Sequence, residues 1–249
     1  MKRLFTTAFS IGGLVAISYA QAPIVSYQQS PDFGGEDFIN HGVGITAGET
    51  QAFFVGSSNA AGSAGGYDAM VTEIDANDGS VLWAKQYGSA GVDFGRRIHV
   101  DVANESLVVV GRTDGHAPDG FHDFGVYQLS ASGDVNWSKS IGTDTTDYPW
   151  AVADANDGGY LIGGYTQPGD RTSMLIVKMQ DNGTVDWAKT IGSMWGNERL
   201  YDIRPLGSGE GYLLIGYTGL YGATWNEAAV MKISDTGDLE ATFTFGGAG

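Results

Sequence analysis

The chain reads as an all-β protein: a β-propeller of four-stranded antiparallel blades, four blades present, in an incomplete, open ring. Three observations lead there: a glycine-rich composition, a repeat of about fifty residues, and four short strand patterns within each repeat. Glycine makes up 39 of 249 residues, roughly twice the usual share. Charged residues are 17% and hydrophobic residues 42%, enough apolar material for a packed core and too much for a disordered tail. The glycines lack a three-residue period, which excludes a collagen helix. Many short strands joined by tight turns remain.

The first element is a leader. Lys2 and Arg3 precede a mostly apolar or small run from Leu4 to Ser18, and Ala20-Gln21-Ala22 supplies a small-x-small cleavage pattern before Pro23. The run is short of the about 20 residues that span a bilayer. It predicts a signal peptide over 1–22, cleaved after Ala22, and a product that is secreted or on the cell surface, with no transmembrane segment after cleavage. A buried N-terminal strand or an uncleaved anchor is the competing reading. With no cysteine, an exported fold of this kind must rest on core packing without disulfides. The formal charge is −16 and becomes −18 once Lys2 and Arg3 are removed. Phosphate backbones and anionic lipid repel such a chain, so nucleic acid is not an expected partner.

Residues 23–249 then repeat. The turn glycines Gly79, Gly133, Gly183 and Gly237 are 54, 50 and 54 residues apart, and three are followed four residues later by Trp83, Trp137 and Trp187. A second landmark keeps step: Val55-Gly56, Val110-Gly111, Ile162-Gly163-Gly164 and Ile215-Gly216. Blades are expected at about 24–88, 89–142, 143–192 and 193–249. In the third, strands are predicted over Trp150–Asp154, Gly159–Tyr165, Thr172–Met179 and Thr184–Ile191, parted by Asp157-Gly158-Gly159 and Asp181-Asn182-Gly183, where a tight turn needs positive φ. Tyr160-Leu161-Ile162 and Met174 to Val177 are continuously apolar, as in strands covered on both faces. Such a sheet must stack on a copy of itself, and four strands in about 50 residues match a propeller blade. A β-solenoid coil is far shorter. The fourth-strand pattern occurs five times, first at Ile24–Gln28, against four sets of inner strands. Phe245-Gly246-Gly247-Ala248-Gly249 also matches the start of another repeat at Tyr87-Gly88-Ser89-Ala90-Gly91. The expectation is therefore an arc, with about three blades to follow if the ring has seven.

The segments Asp157 to Thr166, Ser173 to Lys178, Asp181 to Gly183, Val185 to Gly192 and Asn197-Glu198 resemble bacterial "seven-bladed β-propeller" (SBBP-type) repeats, and the resemblance covers about residues 24–249. It implies secreted or surface-associated bacterial proteins, often beside adhesion and sorting modules, and no catalytic residues. Ala241 departs from it, standing where the other units have tryptophan.

Several residues are candidates for chemistry. Trp83, Trp137 and Trp187 fit either an aromatic sugar platform or plugs between blades, the latter being usual for a residue recurring at one strand position. Trp195 and Trp225 do not recur and are better ligand contacts. Asp75, Gly79 and Trp83 resemble the tryptophan-docking motif of quinone-dependent propeller dehydrogenases, but the other units break its spacing and the vicinal cysteines of that active site are absent. Asp75-Ala76-Asn77-Asp78-Gly79 and Asp154 to Gly158 mimic half a calcium loop without its closing Glu and fit Asx turns. His41, His99, His116 and His122 lack ligand spacing, though His116 and His122 share a loop with Asp114, Asp119 and Asp123. One acid precedes each innermost strand: Asp37, Asp93, Asp147 and Glu198, placed on one rim of the central channel. They would either share a hard cation such as Ca²⁺ or accept backbone N–H bonds that lock blade to blade.

The overall expectation is a secreted or cell-surface, non-catalytic scaffold without a cofactor, binding a protein or carbohydrate. The alternative is a propeller enzyme: a glycoside hydrolase, a polysaccharide lyase or a quinoprotein-like dehydrogenase. An enzyme would show polar residues confined to one blade and converging on one face.

Overall fold

The structure is a computed structural model and describes residues 36–44, 50–60, 63–114, 121–192, 196–219 and 226–246. The predicted leader over 1–22, the Ile24–Gln28 pattern, Trp195, Trp225, His116 and Asp119 lie outside the described residues. Four antiparallel four-stranded sheets follow one another along the chain. The first holds β1 (Asp37–Gly44), β2 (Gln51–Ser58), β3 (Asp68–Asp75) and β4 (Val81–Tyr87). The second holds β5 (Asp93–Asp101), β6 (Ser106–Thr113), β7 (Asp123–Ser130) and β8 (Val135–Ile141). The third holds β9 (Thr146–Asp154), β10 (Tyr160–Gln167), β11 (Ser173–Met179) and β12 (Val185–Ile191). The fourth holds β13 (Arg199–Gly207), β14 (Gly211–Thr218), β15 (Glu227–Ile233) and β16 (Leu239–Phe245). The first strands touch in series, β1 to β5 to β9 to β13, and so form the inner wall of a propeller arc. The arc is open.

Its core lies between blades. Val55, Val71, Val109 and Leu129 fill the first junction, Val110, Val126, Ile162 and Val177 the second, and Leu161, Ile176, Leu214 and Met231 the third. Neighbours Leu161 and Ile162 thus bury against opposite blades, which is why the strand carries no polar alternation. On the fourth blade the far face stays open: Ile215, Phe243 and Phe245 are 37%, 56% and 63% exposed.

Each innermost strand contains a bulge, seen as a register shift that skips Asn40, Arg96, Trp150 and Tyr201. The second landmark of the repeat is its counterpart. A Cβ on Gly56, Gly111, Gly164 or Gly216 would lie 1.6–1.9 Å from the carbonyl oxygen of Phe38, Phe94, Tyr148 or Arg199, so only glycine admits the inner strand there. The strand predicted from Trp150 begins instead at Thr146. Pro149 pairs with Gly164 inside it, which a strand at the channel edge of its sheet tolerates because that edge needs no N–H for a further ladder.

Candidate functional site

The recurring residues hold blades together. A second bulge precedes each tryptophan position, at Leu82, Asn136 and Asp186. It turns the indole towards the next blade's turn. The rings of Trp83, Trp137 and Trp187 approach Gly133, Gly183 and Gly237 so closely that a Cβ there would meet ring carbons at 2.7–3.0 Å. Those glycines and Gly79 have φ of +74° to +80°, a region that disfavours a side chain on conformational grounds as well. Trp137 donates its indole N–H to the Asp181 carbonyl at 2.8 Å. Two positions on, Lys85 and Lys189 pair with Asp134 and Asp238 in the same turns, at 2.8 and 2.6 Å. In the second junction Thr184 stands where those turns have aspartate.

The acids before the innermost strands occupy one end of the arc. The backbone N–H groups of Asp93, Asp147 and Glu198 donate to the carbonyls of Tyr67, His122 and Thr172 in the preceding blade. Asp93 Oδ2 accepts the N–H and hydroxyl of Ser89, and Asp147 Oδ2 accepts the N–H of Thr143, each from the linker between blades. Glu198 accepts the Thr218 hydroxyl at 3.2 Å. Asp37 stands opposite Ser58 at the same position of the first blade. The four acids do not form one cluster: among the described residues no three Asp, Glu or His side chains gather as an ion-holding group.

The calcium-like turns spend their acids locally. Asp75 and Asp78 accept the N–H groups of Asn77 and Ser80, while Asp154 pairs with His99 and Asp157 with Lys178. His122 Nδ1 lies 2.5 Å from Asp114.

Between the innermost strands lies a cavity of about 400 Å³, lined in part by His41, Arg97, His99, Tyr201, Asp202 and Arg204. These residues do not recur from blade to blade, but they bind one another or the wall. Arg97 donates to the Trp150 carbonyl at 2.7 Å, His99 pairs with Asp154 at 2.7 Å, and Arg204 pairs with Asp202 at 2.8 Å. His41 Nδ1 faces the Ile98 N–H at 3.4 Å. Burial, with help from the Arg97 charge, pushes the His41 imidazole below its ordinary range.

Above the cavity the bulges build a belt of arginines and aromatic rings. Arg96 lies over Trp150, with its guanidinium carbon 4.7 Å from the ring centre, and Trp150 meets Tyr201 edge-on at 5.5 Å. Tyr201 then meets Tyr217, and Arg199 lies 4.5 Å above Tyr165. Tyr148 continues to Tyr165, while Arg112 covers Phe94, which stacks on Tyr67. Most of these groups are half-buried, so each is held by neighbours and still offers a face. The bulged position differs in every blade, as Asn, Arg, Trp and Tyr, within an otherwise constant frame. Sequence reasoning passed over this column, although each member stands three residues after Asp37, Asp93, Asp147 or Glu198.

No family model matches the chain, and no curated protein matches it. Among solved structures it is similar to the WD40 domain of Neurospora crassa Pan2, with 12% identity and a TM-score of 0.51 over 85% of this chain and 51% of that one. The chain thus spans about half the length of that domain. At this identity the likeness speaks for the propeller fold.

Proposed function

We propose that this chain is an exported, non-catalytic interaction scaffold that binds a carboxylate-rich protein segment on the arginine–aromatic belt. The belt is the observation that carries the reading. Of seven arginines in a chain of charge −16, Arg96, Arg97, Arg112, Arg199 and Arg204 lie on β5, β6 and β13 near the channel. Lysines instead occupy third and fourth strands, apart from Lys2 in the leader. Arginine with tryptophan and tyrosine is the composition that dominates protein-recognition sites, and a planar guanidinium is suited to carboxylates. The propeller fold supports a scaffold role. The leader over 1–22 and the resemblance to SBBP-type repeats support a secreted or surface location in a bacterium. No helix among the described residues is long and apolar enough to cross a membrane.

Two experiments test this. A displayed library of random peptides, screened on the full chain, should return Asp- and Glu-rich sequences. Their binding should weaken about tenfold or more in Arg96→Ser and Tyr201→Ala and fall with added salt. Enrichment of neutral or basic peptides, or glycan binding that depends on Trp150, would replace this partner class. Fractionation with N-terminal sequencing should find exported protein beginning at Pro23; a chain retained with its leader in the cytoplasm would overturn the location.

A further inference from the structure

Three junctions of the arc repeat one arrangement with different side chains. In each, the acid that opens an innermost strand adjoins the residue that opens the third strand of the preceding blade. The partners are Asp93 with Asp68, Asp147 with Asp123, and Glu198 with Ser173. The second and third junctions have partners for this charge. In the second, Asp123 Oδ1 and Asp147 Oδ2 lie 2.1 and 2.7 Å from one point beside Gly142, hence within about 5 Å of each other. The hydroxyls of Thr143, Thr145 and Thr166 close a hydrogen-bonded set around Asp147. In the third, the neighbour is a neutral hydroxyl, Ser173 Oγ.

The first junction is different. Asp68 and Asp93 are 2% and 1% exposed, and Oδ1 of each makes no hydrogen bond. Their other oxygens accept the N–H groups of Ala64 and Ser89. Thr113 pairs directly with Asp93 across the ladder, so the two side chains share a sheet face. It is 1% exposed, and its Oγ1 is also without a partner. The linker has Gly91 where the second junction has Thr145, so the bridging hydroxyl is missing. Burial, with the Asp93 charge adding to it, raises the Asp68 carboxyl above the ordinary range. Tyr127 adjoins the pair, and burial, the charges of Asp93 and Asp68 and a hydrogen bond with the Asp93 carboxylate raise its hydroxyl as well.

We propose that the first blade junction is a binding site for a hard cation of the calcium class, with Asp68, Asp93 and Thr113 as its protein ligands. The donor set is all oxygen and carries two negative charges, as such an ion requires. Without it, two buried carboxylates are left with unpaired oxygens, an arrangement that costs stability. Binding here would pin the first blade to the second.

The test is Ca²⁺ itself, titrated into the full chain. The melting midpoint should rise with concentration, by roughly 5 °C at about 10 mM. The rise should vanish in Asp68→Asn and in Asp93→Asn, and persist in Asp147→Asn. A second readout needs no carboxylate variant. Tb³⁺ should bind the unaltered chain with luminescence excited through Tyr127, displaced by Ca²⁺ and largely lost in Tyr127→Phe. No midpoint shift at 10 mM Ca²⁺, a shift retained in both Asp→Asn variants, or Tb³⁺ emission indifferent to Tyr127 would each overturn the site.

Discussion

Trp137 of the second blade donates its indole N–H to the Asp181 carbonyl of the third, 2.8 Å away, while its ring lies against Gly183. One side chain thereby joins two sheets that share no ladder. In a stack whose stability is a sum of blade and junction contributions, such residues set how cooperatively the arc unfolds.

Trp137→Ala should therefore cost about 2–3 kcal/mol, less than a fully buried tryptophan because the ring is half-exposed. Trp137→Phe keeps most of the packing and loses the hydrogen bond, for about 1 kcal/mol. Urea unfolding would measure both. Equal losses for the two variants would mean that packing on Gly183 contributes little.

Two glycines separate steric from conformational need. A Cβ on Gly111 would sit 1.8 Å from the Phe94 carbonyl oxygen, whereas Gly158 has φ of +95° and open space around it. Gly158→Ala should cost about 1 kcal/mol. Gly111→Ala must displace the innermost strand and should exceed about 3 kcal/mol or abolish folding. Thermal melts compare them directly, and similar midpoints would contradict the close approach.

Acid should first stabilise the arc. Burial, reinforced by the Asp123 charge and opposed by hydrogen bonds from Thr143 and Thr166, lifts the Asp147 carboxyl above its ordinary value of 3.8. Between 3.8 and that raised value the folded chain holds a proton that the unfolded chain has released. Stability therefore falls as pH rises through this window, and Asp68 acts in the same direction. Asp101 is the opposite case. Burial would raise it, but hydrogen bonds from Tyr160 and Asn104 and the nearby His99 hold it below 3.8. Its contribution is present above 3.8 and lost as pH falls through the depressed value. Melting midpoints should climb as pH falls through the window between the raised values and 3.8, and drop as pH falls below 3.8 through the depressed Asp101 value. Asp147→Asn should flatten the climb; an unchanged slope would rule Asp147 out as its source.

The open face of the fourth blade predicts self-association. Phe243 and Phe245 stand where β12 has Lys189 and Ile191, and β16, paired with β15 on one side, is an edge strand with no strand on its other side among the described residues. Unprotected apolar edges seek other strands. Phe243→Lys with Phe245→Thr should lower the weight-average mass seen by sedimentation at high concentration. An unchanged distribution would show that this edge is inert.

Much of the fold was legible because it depends on local periodicity. Gly183 after Asp181-Asn182 marks a positive-φ turn in any context, and the apolar run Tyr160-Leu161-Ile162 reports burial on both faces without a structure. The direction of Trp137 was half-legible: recurrence pointed to packing, but the bulge at Asn136 that aims it lies in the pairing register. The belt was hidden for the same reason. Arg96, Trp150 and Tyr201 share no residue type, and only their common bulge, opposite Gly111, Gly164 and Gly216, brings them together. Asp68 and Asp93 are 25 residues apart in the chain and become neighbours only when two blades stack.

The sequence by itself determined the all-β class, the blade period, the turn glycines and the acidic charge, since each follows from residue type and spacing along the chain. Tertiary structure decided which side chains meet. Strand register and blade stacking are long-range pairings, and one bulge per innermost strand redirects the side chains on either side of it. That is why the repeated tryptophans became braces between blades, while the unrepeated Arg96, Trp150 and Tyr201 converged on one rim.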